Sequence, residues 1–187
     1  MNSKEKATEY IRNIGRASPV FLDTETTGLG SSDQVIQVAI INYTGDILLS
    51  TFVRPTVIMS TDAFKAHGIT DDTLSRAPYF EEVWPFVIKA ISTVPVVVYN
   101  ASFDHRLILQ SGVSRGLGMQ ELGHVKFCCL MTLYAEYYGE LTRFGSFRYQ
   151  KLSKALTDCS ITIPEDMHSA LVDAEAARQL FKRMESV

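Results

Sequence analysis

The sequence predicts a mixed α/β domain: a five-stranded sheet flanked by helices. Two observations carry that expectation. Three strand-like segments joined by turn signals come first, and two strand–helix units follow them, an order that gives a mixed sheet with helices on its faces. The chain also has 187 residues with 46% hydrophobic content, enough for one sizeable core. No repeat, low-complexity tract or linker divides it. The expected organisation is an N-terminal helical extension over 1–17 and a single domain over 18–187.

Residues 4–14 read as a helix stopped by Gly15, with Pro19 just ahead of the first strand, 20–25. Thr26-Thr27-Gly28 turns the chain. Residues 34–43 (QVIQVAIINY) alternate well enough for a second strand, and Gly45-Asp46 supports a tight hairpin into a third, 47–53, ended by Pro55. Ser60 or Thr61 can cap a helix through Ala66 with Gly68 behind it. Thr70 can cap another through Ser75, and a third spans Phe80 to Ile91 with Pro85 expected to bend it. Val94 to Tyr99 is a short, fully apolar strand, which suits a buried sheet centre. Asn100 is placed to cap the next helix, which carries Phe103, Asp104, Leu107 and Ile108. Val125 to Cys129 reads as the fifth strand, with a helix after it through Tyr138. Leu152–Leu156 and Ser169–Met184 close the chain as helices.

Composition narrows the function classes. No apolar run approaches a membrane span, and the charged, amphipathic stretch from Met1 to Arg16 lacks an apolar signal core. A cytoplasmic location is expected, without a membrane partner. Cys128, Cys129 and Cys159 show no C-x-x-C spacing, so they read as buried free thiols in a reducing compartment.

Asp23-Thr-Glu25, Asp104 and His168-(x4)-Asp173 are the informative residues. Asp23 and Glu25 close the apolar run Val20-Phe21-Leu22 and, two apart on a strand, share a face with Phe21. A strand end running into a polar turn would also carry such a triplet, but Thr-Thr-Gly already supplies turn polarity here. Asp104 falls in the first turn of its helix, where an early Asp often only offsets the helix dipole. With Asn100 as the cap, that role is partly filled. Asp173 has Ala177, Leu180 and Met184 at i+4, i+7 and i+11, which puts it on a buried stripe without a cation on the same face. Four carboxylates aimed at one core repel one another and need positive charge, most simply a pair of divalent cations. That points to a metal-dependent phosphodiester hydrolase.

His168 stands five residues before Asp173, about 140° away on a continuous helix, so the two cannot converge if both are helical. With Ser169 as cap, His168 sits on the preceding loop and is free to fold back over the acids. His67, His105 and His124 fit surface or supporting roles. The formal net charge of −3 looks unsuited to a nucleic-acid partner. With the four acids set aside, the remaining 17 roughly balance the 18 Lys plus Arg, which predicts modest non-specific affinity with a shallow salt dependence.

Asp23-x-Glu25 in DTETTGL, Asn100-x-x-x-Asp104 in NASFD and His168-(x4)-Asp173 in HSALVDA, in that order, resemble the DEDDh 3′→5′ exonucleases. This is the superfamily of the proofreading epsilon subunit of bacterial DNA polymerase III and of ribonuclease T. The resemblance covers residues 18–184. It implies a ribonuclease-H-like fold and two-metal hydrolysis releasing nucleoside 5′-monophosphates from single-stranded DNA 3′ ends. Asp23, Glu25, Asp104 and Asp173 would hold two Mg²⁺ or Mn²⁺ ions, which favour hard oxygen ligands. His168 would take the proton from the attacking water, and Glu25 would also contact the terminal 3′ hydroxyl.

AFKAHGIT (63–70) is similar to a family element lining the terminal-nucleotide pocket, which makes Phe64 and His67 binding candidates. RFGSFRYQK (143–151) mixes cationic and aromatic residues without an acid, as in grooves where bases stack and cations meet phosphate. An ordinary loop with inward-packed aromatics would read the same way. The substrate-binding candidates are Glu25, Thr26, Leu29, Phe64, His67, Asn100, Phe103, Arg148 and Lys151.

Alternatives stay open at this point: an exoribonuclease of the same superfamily, a non-catalytic polymerase-accessory module, or a structural α/β protein with incidental acids. The chain ends soon after its last helix, so a free-standing nuclease in repair or end trimming is expected over a tethered replicative proofreader. A polymerase or repair protein stays open as a partner, and the oligomeric state is not encoded.

Overall fold

The computed structural model describes residues 2–187. Helix α1 (Ser3–Gly15) starts on a reciprocal cap. Asn2 Oδ1 accepts from the Glu5 amide at 2.9 Å, and the Glu5 carboxylate accepts from the Asn2 amide at 3.0 Å. Its Ala7 and Ile11 are buried, and α1 lies against two later helices. The chain then forms β1 (Val20–Thr26), β2 (Val35–Ile41) and β3 (Ile47–Phe52). The β2–β3 turn is held by Asn42, whose Oδ1 accepts from the amides of Thr44, Gly45 and Asp46, with Gly45 at φ 101°.

Next come α2 (Thr61–His67), α3 (Asp71–Ser75) and α4 (Phe80–Ile91). Ser60 and Thr70 cap the first two through the amides of Ala63 and Thr73. Helix α4 runs from Phe80 to Ile91 without a break at Pro85. The remainder alternates as β4 (Val96–Val98), α5 (Ala101–Ser114), β5 (Phe127–Cys129), α6 (Leu130–Tyr138), α7 (Leu152–Asp158) and α8 (Ala170–Glu185). A 3-10 turn over Gln120–His124, absent from the sequence reading, seats the buried Leu122.

The five strands form one sheet in the order β3-β2-β1-β4-β5. β2 runs antiparallel to β1 and β3, whereas β4 is parallel to β1 and β5. This is a ribonuclease-H-like sheet with helices on both faces. Period-two alternation divides the core. Phe21, Ala39, Ile41 and Val97 pack with Ile11, Tyr134, Ala177 and Phe181 on one face. Val20, Leu22, Val38, Ile40 and Val98 pack with Val83, Trp84, Val87, Leu107 and Ile108 on the other.

One register detail places the site. β4 pairs with β1 only at Val20 and Phe21, so the acidic half of β1 extends past the end of β4. Asp23 and Glu25 still pair with Ala39 and Gln37 of β2, and a bulge follows at Glu25/Thr26. In open α/β sheets, ligands gather at such carboxyl ends where strand order reverses.

Two expected caps are corrected. Asn100 and Ser169 hold the positions before α5 and α8, but neither side chain accepts a helix amide. Asn100 sits at φ −139°, ψ 66°, and its Oδ1 accepts from the Ser102 hydroxyl at 3.4 Å rather than from a helix amide. At α8 the role passes to Gln37 of β2, whose Oε1 accepts from the Ala170 amide at 3.0 Å. Among the described residues, no helix is long and apolar enough to cross a membrane.

Candidate active site

Strand alternation sends Asp23 and Glu25 to the face covered by α8, and the Gln37 contact fixes where α8 begins. Asp173, in its first turn, meets them: carboxylate oxygens of Asp23, Glu25 and Asp173 all lie within 4.8 Å of one another. Thr24 points the opposite way, toward the α5 layer. There its Oγ1 donates to Oδ1 of the buried Asp104 at 2.8 Å. The fourth acid therefore arrives from the other side of the sheet, around the end of β4, and a hydroxyl of the same strand positions it.

Electrostatics agree with the geometry. Burial, then the charges of Asp104, Asp173 and Glu25, holds Asp23 well above the usual carboxylate range. Burial, reinforced by Asp173 and Asp104, pushes Glu25 up to about 8. Asp104 is pushed up to about 7 by burial, against the hydrogen bond from Thr24 that favours its charged form. Asp173 is raised by burial and partly relieved by His168. Among the described residues, no Lys or Arg pairs with any of the four. Oxygen-only donors, crowded and short of positive charge, fit divalent hard cations, which would restore their ionised form.

His168 lies on the loop before α8, exposed, at φ 75°. A left-handed backbone is uncommon for a side chain with a Cβ, though His tolerates it better than most. Its amide faces Asp173 Oδ1 at 3.5 Å. His67 approaches from α2. Its Nδ1 accepts from the Ile69 amide at 3.0 Å, which leaves the ring proton on Nε2, a buried atom without a hydrogen-bond partner. Burial lowers the His67 pKa, the nearby Thr26 backbone opposes that shift in part, and the charge of His168 adds to it.

Two cavities flank the acids. The smaller, about 260 Å³, is lined by Glu25, Thr26, Leu29, His67 and Phe103. Leu29 stands at its rim, 78% exposed, on a loop tied to α5 by Arg106 and Gln110, which donate to the Leu29 and Gly30 carbonyls. The larger cleft, about 750 Å³, is lined by Asn100, Tyr149, Lys151, Met167, His168 and Asp173.

The binding candidates thus divide. Glu25, Thr26, Leu29, His67 and Phe103 surround one cavity, while Asn100 and Lys151 line the other. Phe64 lines neither and borders a separate hollow beside Met59 and Thr70. The Arg148 guanidinium is held by Glu140 at 2.9 Å and lines neither cavity. Sequence reasoning missed Thr24, Gln37 and Tyr149. Thr24 was within reach of it, since the middle residue of Asp-Thr-Glu must face the opposite layer.

Compared with known families, residues 20–181 match the RNase_T exonuclease family. The chain belongs to this exonuclease family. An uncharacterized exonuclease, CP81 of Escherichia phage 186, is 36% identical over 157 residues, covering 82% of this chain and 81% of that protein. The DNA polymerase III epsilon subunit of Buchnera aphidicola is 36% identical over 102 residues, or 49% of this chain and 43% of the subunit. Among solved structures, the nuclease domain of 3′hExo, a DEDDh family member bound to rAMP, superposes with a TM-score of 0.73. At 19% identity over 91% of this chain and 92% of that domain, it shows a shared fold. The RNase_T exonuclease match spans every acid of the cluster and His168.

Proposed function

We propose that this chain is a metal-dependent 3′→5′ exonuclease that releases nucleoside 5′-monophosphates from single-stranded DNA 3′ ends. The observation that carries the reading is the meeting of Asp23, Glu25 and Asp173 within 4.8 Å, beside a mainly apolar cavity with room for one base and its sugar. Asp23, Glu25, Asp104 and Asp173 would hold two Mg²⁺ or Mn²⁺ ions. When bound, these ions supply Lewis-acid stabilisation of the phosphate and of the departing oxygen.

The chain's own residues do the rest. His168 accepts the proton of the attacking water at an imidazole nitrogen and so acts as general base. Water adds to phosphorus, the bond to the upstream 3′ oxygen breaks, and a strand one nucleotide shorter keeps its 3′ hydroxyl. Leu29 and Phe103 flank the terminal base, and Glu25 contacts the terminal 3′ hydroxyl. Thr24 keeps Asp104 oriented.

Similarity to the epsilon subunit of a DNA polymerase supports DNA as substrate. RNA is the second reading, supported by the fold shared with a nuclease domain bound to rAMP. The test is digestion of 5′-labelled single strands with Mg²⁺ or Mn²⁺. A stepwise ladder is expected, with DNA consumed before RNA in a mixed reaction. Folded protein that leaves both strands intact under both metals would refute the proposal.

A further inference from the structure

The larger cleft opens directly onto the acids through His168 and Asp173, and its outer wall of Tyr149, Gln150 and Lys151 lies beyond the reacting groups. We propose that it is the subsite for the nucleotide on the 5′ side of the scissile phosphate, with Tyr149 as its stacking platform and Lys151 as its phosphate contact. This rests on the exonuclease reading above. The acidic cluster separates the two cavities: Glu25 lines the smaller and Asp173 the larger. A phosphodiester lying on the cluster therefore has one nucleoside on each side. The smaller cavity suits the nucleotide that is cut off. The strand that remains continues out of the site and needs the larger, open cleft.

The wall of this cleft is built to hold its shape. Residues 140–151 form a hairpin-like loop with a bridge between Leu141 and Phe147 and a turn at Gly145, φ 80°. Glu140 closes its base, pairing with Arg148 and accepting from Gln150 Nε2 at 3.0 Å. Tyr99, at the end of β4, donates its hydroxyl to the Gln150 carbonyl at 2.9 Å. That bond anchors the residue between Tyr149 and Lys151 to the sheet. Tyr149 is left 60% exposed at the cleft and, among the described residues, has no ring partner. A solvent-facing ring next to a cation, on an anchored backbone, is what a single strand's bases and phosphates use. The Glu140 pairing takes Arg148 out of that role and leaves Lys151 as the cation lining the cleft.

Two substrates separate this subsite from the rest of the site. Thymidine 5′-monophosphate p-nitrophenyl ester has a nitrophenyl group where an oligothymidylate has its upstream nucleoside. For Tyr149→Ala, kcat/KM on the oligothymidylate should fall about tenfold more than on the ester. Tyr149→Phe should restore it, and Lys151→Gln should show the same selective loss, each variant melting as the wild type does. Equal effects on the two substrates, or no effect on either, would overturn the subsite while leaving the nuclease reading intact. A wild-type protein inert on both substrates would instead remove the nuclease reading, and the subsite with it.

Discussion

Thr24 Oγ1 donates to Asp104 Oδ1 at 2.8 Å inside the protein, and this one bond joins the two helical layers at the acidic cluster. Its neighbours Asp23 and Glu25 face α8, while Thr24 faces α5, so three consecutive residues of β1 serve both sides of the sheet. The cluster is therefore assembled around the free end of β1 rather than on one surface. Its geometry depends on that strand keeping its register.

Thr24→Val keeps the shape of the side chain and removes the donor. Asp104 then loses the bond that favours its charged form, and protons compete better with metal at neutral pH. A hydrogen bond to a buried charged group is worth about 1.5–3 kcal/mol, so Mn²⁺ should bind about tenfold more weakly or worse. Calorimetric titration reads this directly. An unchanged affinity would show that Asp104 needs no positioning.

Acidity should stabilise the metal-free protein, with a defined sign and window. The folded values of Asp104 and Glu25, about 7 and about 8, lie above an unfolded carboxylate's value of about 4. Their contribution to stability is fully present below about pH 4 and is lost as pH rises through the folded values. In chelator, wild type should therefore lose melting temperature relative to Glu25→Gln between mildly acidic and mildly alkaline pH. Each kcal/mol corresponds to about 2–4 °C in a domain of this size. Saturating Mn²⁺ should abolish the trend. A pH-independent gap between the two proteins would contradict buried, mutually repelling acids.

The gathering of Asp23, Glu25 and Asp173 was legible because period-two alternation and a helical stripe are strong local signals. The mixed five-stranded sheet followed from two strand–helix units placed after three strand-like segments, while the strand order came from the structure. What stayed hidden depends on contacts between distant residues. Asn100 looked like a cap by residue type, but its Oδ1 meets the Ser102 hydroxyl and no helix amide. Gln37 caps α8 from 133 positions away, beyond any local pattern. In the basic loop the residue types favoured Arg148 over Tyr149, but Glu140 holds the Arg148 guanidinium and Tyr99 anchors the backbone beside Tyr149, which is the one that borders the cleft.

Gly28→Ala tests the loop that carries Leu29. An added Cβ would lie 2.7–2.9 Å from the Asp33 carboxylate. That carboxylate accepts from Thr27 Oγ1 and from the Gly30 amide, both at 2.6 Å, so it cannot retreat without releasing the turn. The variant should lose about 1–3 kcal/mol of stability through those bonds. It should also raise KM for single strands more than it lowers kcat, since Leu29 stands at the rim of the smaller cavity, where the terminal base would lie. A variant with wild-type stability and KM would mean that the loop's geometry is not used.

His168 gives the sharpest test because its backbone and its imidazole make separate predictions. At φ 75° the backbone favours glycine, so His168→Gly relieves any strain while removing the ring. His168→Ala removes the ring and keeps a Cβ. If the imidazole takes the proton of the attacking water, both variants should lose about 10²–10⁴ in kcat. Neither should lose the rise in melting temperature with Mn²⁺, because the acids remain in place. An active His168→Gly beside an inactive His168→Ala would assign the effect to loop conformation. Full activity in both would leave water activation to some other group, while Asp23, Glu25 and Asp173 stayed together within 4.8 Å.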